Sequence, residues 1–146
     1  MRSRKVRKTR TANETGLVGD RRDAEEKMKV ILIVDDEVDI TATFSILFEL
    51  HGFEVLCAPN GLQALDIVEK RAPDIIVSDC MMPIMDGLEF SRQLRGNPAT
   101  QKIPIVLMSA APAQHRLGRA EFDVFMKKPF RFNDLLAAVT KLLESR

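Results

Sequence analysis

Tryptophan and tyrosine are absent from this 146-residue sequence, so every aromatic ring is one of eight phenylalanines. Cysteine is limited to Cys57 and Cys80. Two thiols in apolar surroundings, within or beside expected strands, predict core filling rather than a disulfide framework or a metal site. No stretch reaches the roughly 18 consecutive apolar residues of a membrane span. The N-terminal segment lacks even the apolar centre of a secretion signal, because its longest uncharged stretch, Thr15 to Gly19, falls short of the required length of about seven. A cytoplasmic protein with no membrane partner is the expectation. A dominant charge sign is missing too: 22 basic residues stand against 21 acidic ones, for a net charge of +1.

That balance does not hold along the chain. Residues 1–29 carry ten Lys/Arg and five Asp/Glu, whereas residues 30–146 carry twelve and sixteen. Arg2, Arg4, Lys5, Arg7, Lys8 and Arg10 crowd the leader, enough for weak, salt-sensitive contact with nucleic-acid phosphates. It has no aromatic residue for base stacking and no periodic apolar face, so residues 1–27 are expected to be a disordered extension. The domain itself is expected to span residues 28–146, with Met28 standing where translation of it could begin. That length suits one core and leaves no room for a DNA-binding or enzymatic output domain, so a stand-alone protein is expected.

Within the body, short apolar runs alternate with helical patterns. Val30 to Val34, Ile75 to Val77 and Ile105 to Met108 are continuous and β-branched, as strands covered on both faces require. Phe53–Ala58 and Phe122–Met126 are interrupted by Glu54 and Asp123, which fits strands nearer the sheet edges. Between them, Ile40, Phe44, Leu47 and Phe48 predict a helix over 37–51, and Asn60 caps a second with a stripe of Leu62, Leu65 and Val68. A third is expected from Gly87 to Arg95, stopped by Gly96, and a last one capped near Asn133-Asp134 that carries Leu135, Leu136, Val139, Leu142 and Leu143. Residues 112–118 allow at most two turns, a short fourth helix. The alternation implies an α/β fold, a doubly wound parallel sheet whose ligands bind beyond the carboxyl ends of the strands.

Those ends carry the polar residues. Asp35-Asp36-Glu37 closes the first strand, Asp79 the third, Ser109 the fourth and Lys127-Lys128-Pro129 the fifth. Clustered carboxylates repel one another, and an oxygen-preferring divalent cation relieves that repulsion. With a lysine and a hydroxyl beside it, the set suits phosphoryl transfer to a carboxylate, with Asp79 as nucleophile.

At this point the sequence resembles the receiver domain of two-component response regulators, the chemotaxis receivers included. The resemblance rests on Ile33-Val34-Asp35-Asp36-Glu37, Ser78 to Gly87 (Ser-Asp-Cys-Met-Met-Pro-Ile-Met-Asp-Gly), Leu107-Met108-Ser109-Ala110 and Lys128-Pro129-Phe130. It implies a flavodoxin-like five-stranded sheet in the order 2-1-3-4-5, with Asp79 accepting a phosphoryl group from a histidine kinase or phosphotransfer protein. It also implies Mg²⁺ held by Asp36, Asp79 and the main-chain carbonyl of Met81, with Asp35 acting through water. Ser109 and Lys128 would contact the phosphoryl oxygens, while Lys127 faces solvent because neighbouring strand residues point to opposite faces. A cis bond is expected before Pro129.

Ser109 and Phe125 stand at the family's switch positions, although Phe125 cannot make the hydroxyl contact of a tyrosine. The 19 residues from Ser109 to Lys128 are about one helical turn fewer than is usual. The shortening falls on the signalling surface formed by the fourth helix, the fifth strand and the last helix. Met82, Met85 and Met108 read as core filler, and His51 and His115 have no catalytic spacing. Such a protein accepts phosphate without being a turnover enzyme. The competing enzymatic reading is a haloacid-dehalogenase-like phosphatase. It needs a second Asp two residues after the nucleophile, which Asp35-Asp36-Glu37-Val38 does not supply.

Overall fold

The computed structural model describes residues 28–110 and 121–145. The leader, residues 112–118 and His115 therefore lie outside the described residues. Five strands are present among them: β1 (Val30–Val34), β2 (Glu54–Ala58), β3 (Ile75–Asp79), β4 (Ile105–Ser109) and β5 (Val124–Lys127). Four helices, α1 (Val38–Leu50), α2 (Gly61–Lys70), α3 (Gly87–Arg95) and α4 (Phe132–Glu144), complete the described elements. The strands form one parallel sheet in the order β2-β1-β3-β4-β5. The two strand candidates that a charged residue interrupts occupy its edges. None of the described helices is long and apolar enough to cross a membrane.

Alternation along the central strands divides the core in two. Leu32, Val34, Ile76, Ile105 and Leu107 point to one face, where Ala64 and Val68 of α2 and Leu88, Phe90 and Leu94 of α3 cover them. Ile31, Ile33, Ile75, Val77, Val106 and Met108 point to the other, under Phe48 of α1 and Leu135 and Val139 of α4. All residues of β1, β3 and β4 are buried, which explains their unbroken apolar sequence: a strand covered on both faces has no position for a solvated side chain.

Three local expectations are corrected. Cys80 is buried but Cys57 is exposed. It sits on an edge strand, with its Sγ 3.1 Å from Ser45 Oγ. Leu62 is exposed as well, because the inward face of α2 runs through Gly61, Ala64 and Val68. That face is narrow, and small residues bring the helix close to the sheet. The N-cap of α4 is Arg131, which places Asn133 and Asp134 inside the first turn. Asn60 does cap α2, its side chain accepting from the Gln63 amide at 2.9 Å.

The register aligns the strand ends. Val34 is level with Ser78, Asp79 with Met108, and Ser109 with Lys127. The start of β5 is fixed by Asp123, whose Oδ2 accepts from the Ile105 amide and from Arg95 Nη2, each at 2.8 Å. The Arg95 guanidinium also donates to the carbonyls of Gln101 and Ile103. This clamp at the far end of the sheet fixes where Lys128 emerges at the near end.

Candidate phosphoryl-acceptor site

Asp79 is the last residue of β3, and Asp35 and Asp36 follow β1 directly. Neighbouring parallel strands in this register deliver the three carboxylates to one crevice, with oxygens all within 4.8 Å of one another. Asp35 and Asp79 are buried and Asp36 is exposed. Lys128, just past β5, reaches across the sheet end, its Nζ 2.9 Å from Asp79 Oδ1 and 3.6 Å from Asp35 Oδ2. Its neighbour Lys127 faces solvent, as the alternation requires. The Lys128 amide donates to the Ser109 carbonyl at 2.9 Å, and the Lys128-Pro129 bond is cis.

One ammonium is shared between two buried carboxylates, and the electrostatics follow from that shortage. Burial raises the Asp35 carboxyl above its ordinary pKa, aided by Asp79 and Asp36 and opposed by the Glu37 amide and Lys128. Asp79 is raised as well, first by burial and then by Asp36, against the hydrogen bond and charge of Lys128 and the Met81 amide. Burial alone would lower Lys128. The hydrogen bond to Asp79 and the charges of Asp79, Asp35 and Glu37 outweigh it, so its pKa is raised and it stays protonated. Asp35 Oδ1 accepts from the Glu37 amide at 2.9 Å. Its Oδ2 is buried with no hydrogen-bond partner among the described residues. An orphaned carboxylate oxygen facing two further carboxylates is the donor set of a hard, oxygen-preferring divalent cation, so the residues present fit Mg²⁺.

The other expected residues fall around this centre. Ser109 ends β4 and is buried. Met81 turns its side chain largely outward, at 53% exposure, while its amide serves the Asp79 carboxylate. Phe125 lies farther back on β5, level with Leu107, and its ring meets Phe122 at 6.4 Å on the α2–α3 side of the core. Met108 is buried on the α1–α4 side of the core, and Met82 and Met85 pack against the α2–α3 side. His51 is remote from the site, its Nδ1 2.9 Å from the Leu47 carbonyl oxygen.

Sequence reasoning assigned no task to Gly87. Its amide donates to the Cys80 carbonyl at 2.8 Å, and a Cβ there would collide with the Asp79 carbonyl oxygen. Only glycine lets α3 begin this close to β3. The signal was the Asp86-Gly87 pair, in which the aspartate caps the helix that the glycine opens.

Residues 31–140 match the response regulator receiver domain family. The chain belongs to that family. Among curated proteins, this receiver domain is 35% identical over 118 residues to the phosphate regulon transcriptional regulatory protein PhoB of Pseudomonas aeruginosa, covering 79% of this chain and 52% of that protein. It is 36% identical over 116 residues to the response regulator MprA of Mycobacterium tuberculosis, covering 77% and 50% respectively. The chain thus spans about half the length of these relatives. Among solved structures it is similar to the chemotaxis protein CheY4 of Vibrio cholerae, with a TM-score of 0.73 and 30% identity over 79% of this chain and 98% of that one. The receiver domain is the signal-receiving part of two-component systems, and the flavodoxin-like fold expected from the sequence is the one observed.

Proposed function

We propose that this chain is a phosphoryl acceptor of a two-component phosphorelay, taking the group on Asp79 from a phosphohistidine of a histidine kinase or phosphotransfer protein. The observation that carries the reading is the 2.9 Å pairing of Asp79 Oδ1 with Lys128 Nζ inside the three-carboxylate cluster. The unprotonated Asp79 carboxylate attacks phosphorus as the P–N bond to the donor imidazole breaks, and the imidazole leaves with its electron pair. Lys128 keeps its proton and offers positive charge to the developing phosphoryl oxygens. Ser109, buried at the end of β4, donates its hydroxyl to one of them. Asp35, Asp36, Asp79 and the Met81 carbonyl would hold Mg²⁺, with Asp35 acting through water. When bound, Mg²⁺ supplies charge neutralisation between the incoming phosphoryl group and the acidic crevice.

Two exposed apolar side chains, Val38 and Met81, lie in the segments that follow β1 and β3 and suit a protein donor. The charge brought in, about −2, is then read as movement of Ser109 and Phe125 that changes the surface around β5 and α4 and so signals to a partner protein. The chain accepts one phosphate per cycle and is not a turnover enzyme. Incubation with Mg²⁺ and an acyl phosphate or a phosphorylated donor tests the reading. One phosphate per chain is expected, absent with a chelator and absent in Asp79→Asn. Continuous hydrolysis of phosphate esters would overturn it in favour of a phosphatase.

A further inference from the structure

The loop after Asp79 contains a strained residue that the acceptor chemistry does not use. Ile84 has φ of 72°, a left-handed conformation that β-branched side chains avoid. At 76% exposure, its side chain finds no packing to compensate. Such a conformation persists only where the surroundings over-determine it, and here the main chain does so. The Met85 amide donates to the Pro83 carbonyl at 2.7 Å, across Ile84. The Met85 carbonyl accepts from the Gly61 amide at 2.9 Å, and the Gly87 amide closes the loop on Cys80 at 2.8 Å. Asp86 is tied to α3 by its bond from the Glu89 amide, 2.8 Å.

Of these fixed points, only Gly61 lies outside the stretch of chain from Cys80 to α3. It opens α2 and is buried. A Cβ built there would lie 2.8 Å from Met85 Cγ, 2.9 Å from Met85 O and 3.0 Å from Phe90 Cβ. Two of those contacts are closer than any real Cβ contact, and one is to main chain, so Met85 would have to move.

We propose that Gly61 is a positioning residue for the acceptor site: its amide and the space left by its missing side chain seat the Met85 carbonyl, hold Ile84 in its left-handed turn, and so keep the Met81 main chain beside Asp79. The proposal rests on the reading of Asp79 as acceptor in a Mg²⁺ site. Moving Met85 releases the turn, because Ile84 relaxes toward negative φ once the clamp is loosened. The Met81 amide and carbonyl then leave the orientation that serves the Asp79 carboxylate and the cation.

The test uses the full chain, with Mg²⁺ binding by calorimetry at 25 °C and folding by circular dichroism. The parent is expected to bind Mg²⁺ and Asp79→Asn to lose binding. Gly61→Ala is expected to remain helical at 25 °C, since alanine favours helices over glycine, yet to bind Mg²⁺ about tenfold more weakly and to take phosphate from an acyl phosphate more slowly. Ile84→Pro, unable to hold a positive φ, breaks the turn without touching α2 and is expected to show the same loss. Gly96→Ala, whose Cβ meets nothing closer than 3.5 Å, is expected to bind like the parent. Ile84→Asn, tolerated in the left-handed region, is expected to melt a few degrees higher with unchanged affinity.

A merely structural glycine would lower the melting temperature and leave the affinity of the folded protein alone. The proposal is overturned if Gly61→Ala is folded and binds like the parent. It is equally overturned if Ile84→Pro does so when Gly61→Ala fails to fold. Failure of the parent to bind, or undiminished binding by Asp79→Asn, would instead remove the acceptor reading and this proposal with it.

Discussion

Asp79→Asn should make the metal-free protein more stable while abolishing its function. Asp79 shares the crevice with Asp35 and Asp36 at no more than 4.8 Å, so each repulsion is about 3–4 kcal/mol at an effective dielectric constant of about 20. Attraction to Lys128 at 2.9 Å returns about 6 kcal/mol on the same scale. Exposure of Asp36 screens one of the repulsions, and burial adds a penalty for charge on Asp79 that the amide avoids. The net expectation is a gain of about 1–2 kcal/mol for the amide, or a melting temperature about 5 °C higher in a chelating buffer.

Mg²⁺ reverses the order. At a concentration about 100-fold above its dissociation constant it would add about 2.7 kcal/mol to the parent, and little to a variant lacking one of the ligands. The pH dependence has a definite sign. Asp35 and Asp79 have folded pKa values above the ordinary 3.8, so without metal the folded state holds more protons than the unfolded one, and stability falls as pH rises through that window. Glu54 and Glu89 are shifted the other way, below 4.5, by hydrogen bonds from Arg71 and from Gln93 and Arg92. What they contribute is lost only as pH falls through those lowered values, which leaves the range above about 4.5 to the acidic crevice. Calorimetric melts of both proteins, with chelator and with Mg²⁺, check this. An Asp79→Asn protein that melts at or below the parent in chelator would refute the electrostatic reasoning.

Three further outcomes follow from single side chains. Lys128→Met leaves the buried Asp35 and Asp79 without the ammonium that pairs with them and should destabilise the metal-free protein by about 2–3 kcal/mol, with part of that loss recovered by Mg²⁺ in a thermal melt. Ser91, on α3, is fully buried and its hydroxyl has no hydrogen-bond partner among the described residues; Ser91→Ala should raise stability by about 1 kcal/mol in urea titration, from lost desolvation and better helix propensity. Ser109→Ala should still take up phosphate, while the amide chemical-shift changes on phosphorylation at β5 and α4 shrink.

The sheet was readable because its signals are local. Unbroken runs such as Val30–Val34 can only be strands covered on both faces, and the charges at Glu54 and Asp123 marked the edges. Asp35, Asp36, Asp79 and Lys128 were readable for a related reason, since in a parallel sheet any polar residue at the carboxyl end of a strand shares its surroundings with the next strand's end. Contacts between remote segments were not readable in this way. Nothing near Cys57 announces that its thiol will lie exposed beside Ser45 of α1, and nothing near Arg95 announces that its guanidinium will meet Asp123, 28 residues on. The Gly61–Met85 contact belongs to the same class: glycine at a helix start is unremarkable until the loop that approaches it is known.

Why the crevice tolerates so much negative charge follows from the same winding. In a doubly wound sheet every helix begins just after a strand ends, so α1, α3 and α4 all start at the carboxyl edge that holds the carboxylates. Their free amides and positive dipole ends face that edge. Asp35 uses one directly, through the Glu37 amide at 2.9 Å, and Asp86 uses another at the start of α3. These partial charges and one lysine nonetheless leave Asp35 and Asp79 with raised pKa values and Asp35 Oδ2 without a hydrogen bond among the described residues. The protein has therefore built a site that remains short of positive charge when metal-free. A site fully neutralised by its own side chains would have no use for a cation, and one without Lys128 would repel the phosphoryl group even with the cation bound. On the proposed reading, this partial compensation would make phosphorylation conditional on Mg²⁺, and the size of that conditionality is what the crossing stabilities of the parent and Asp79→Asn would measure.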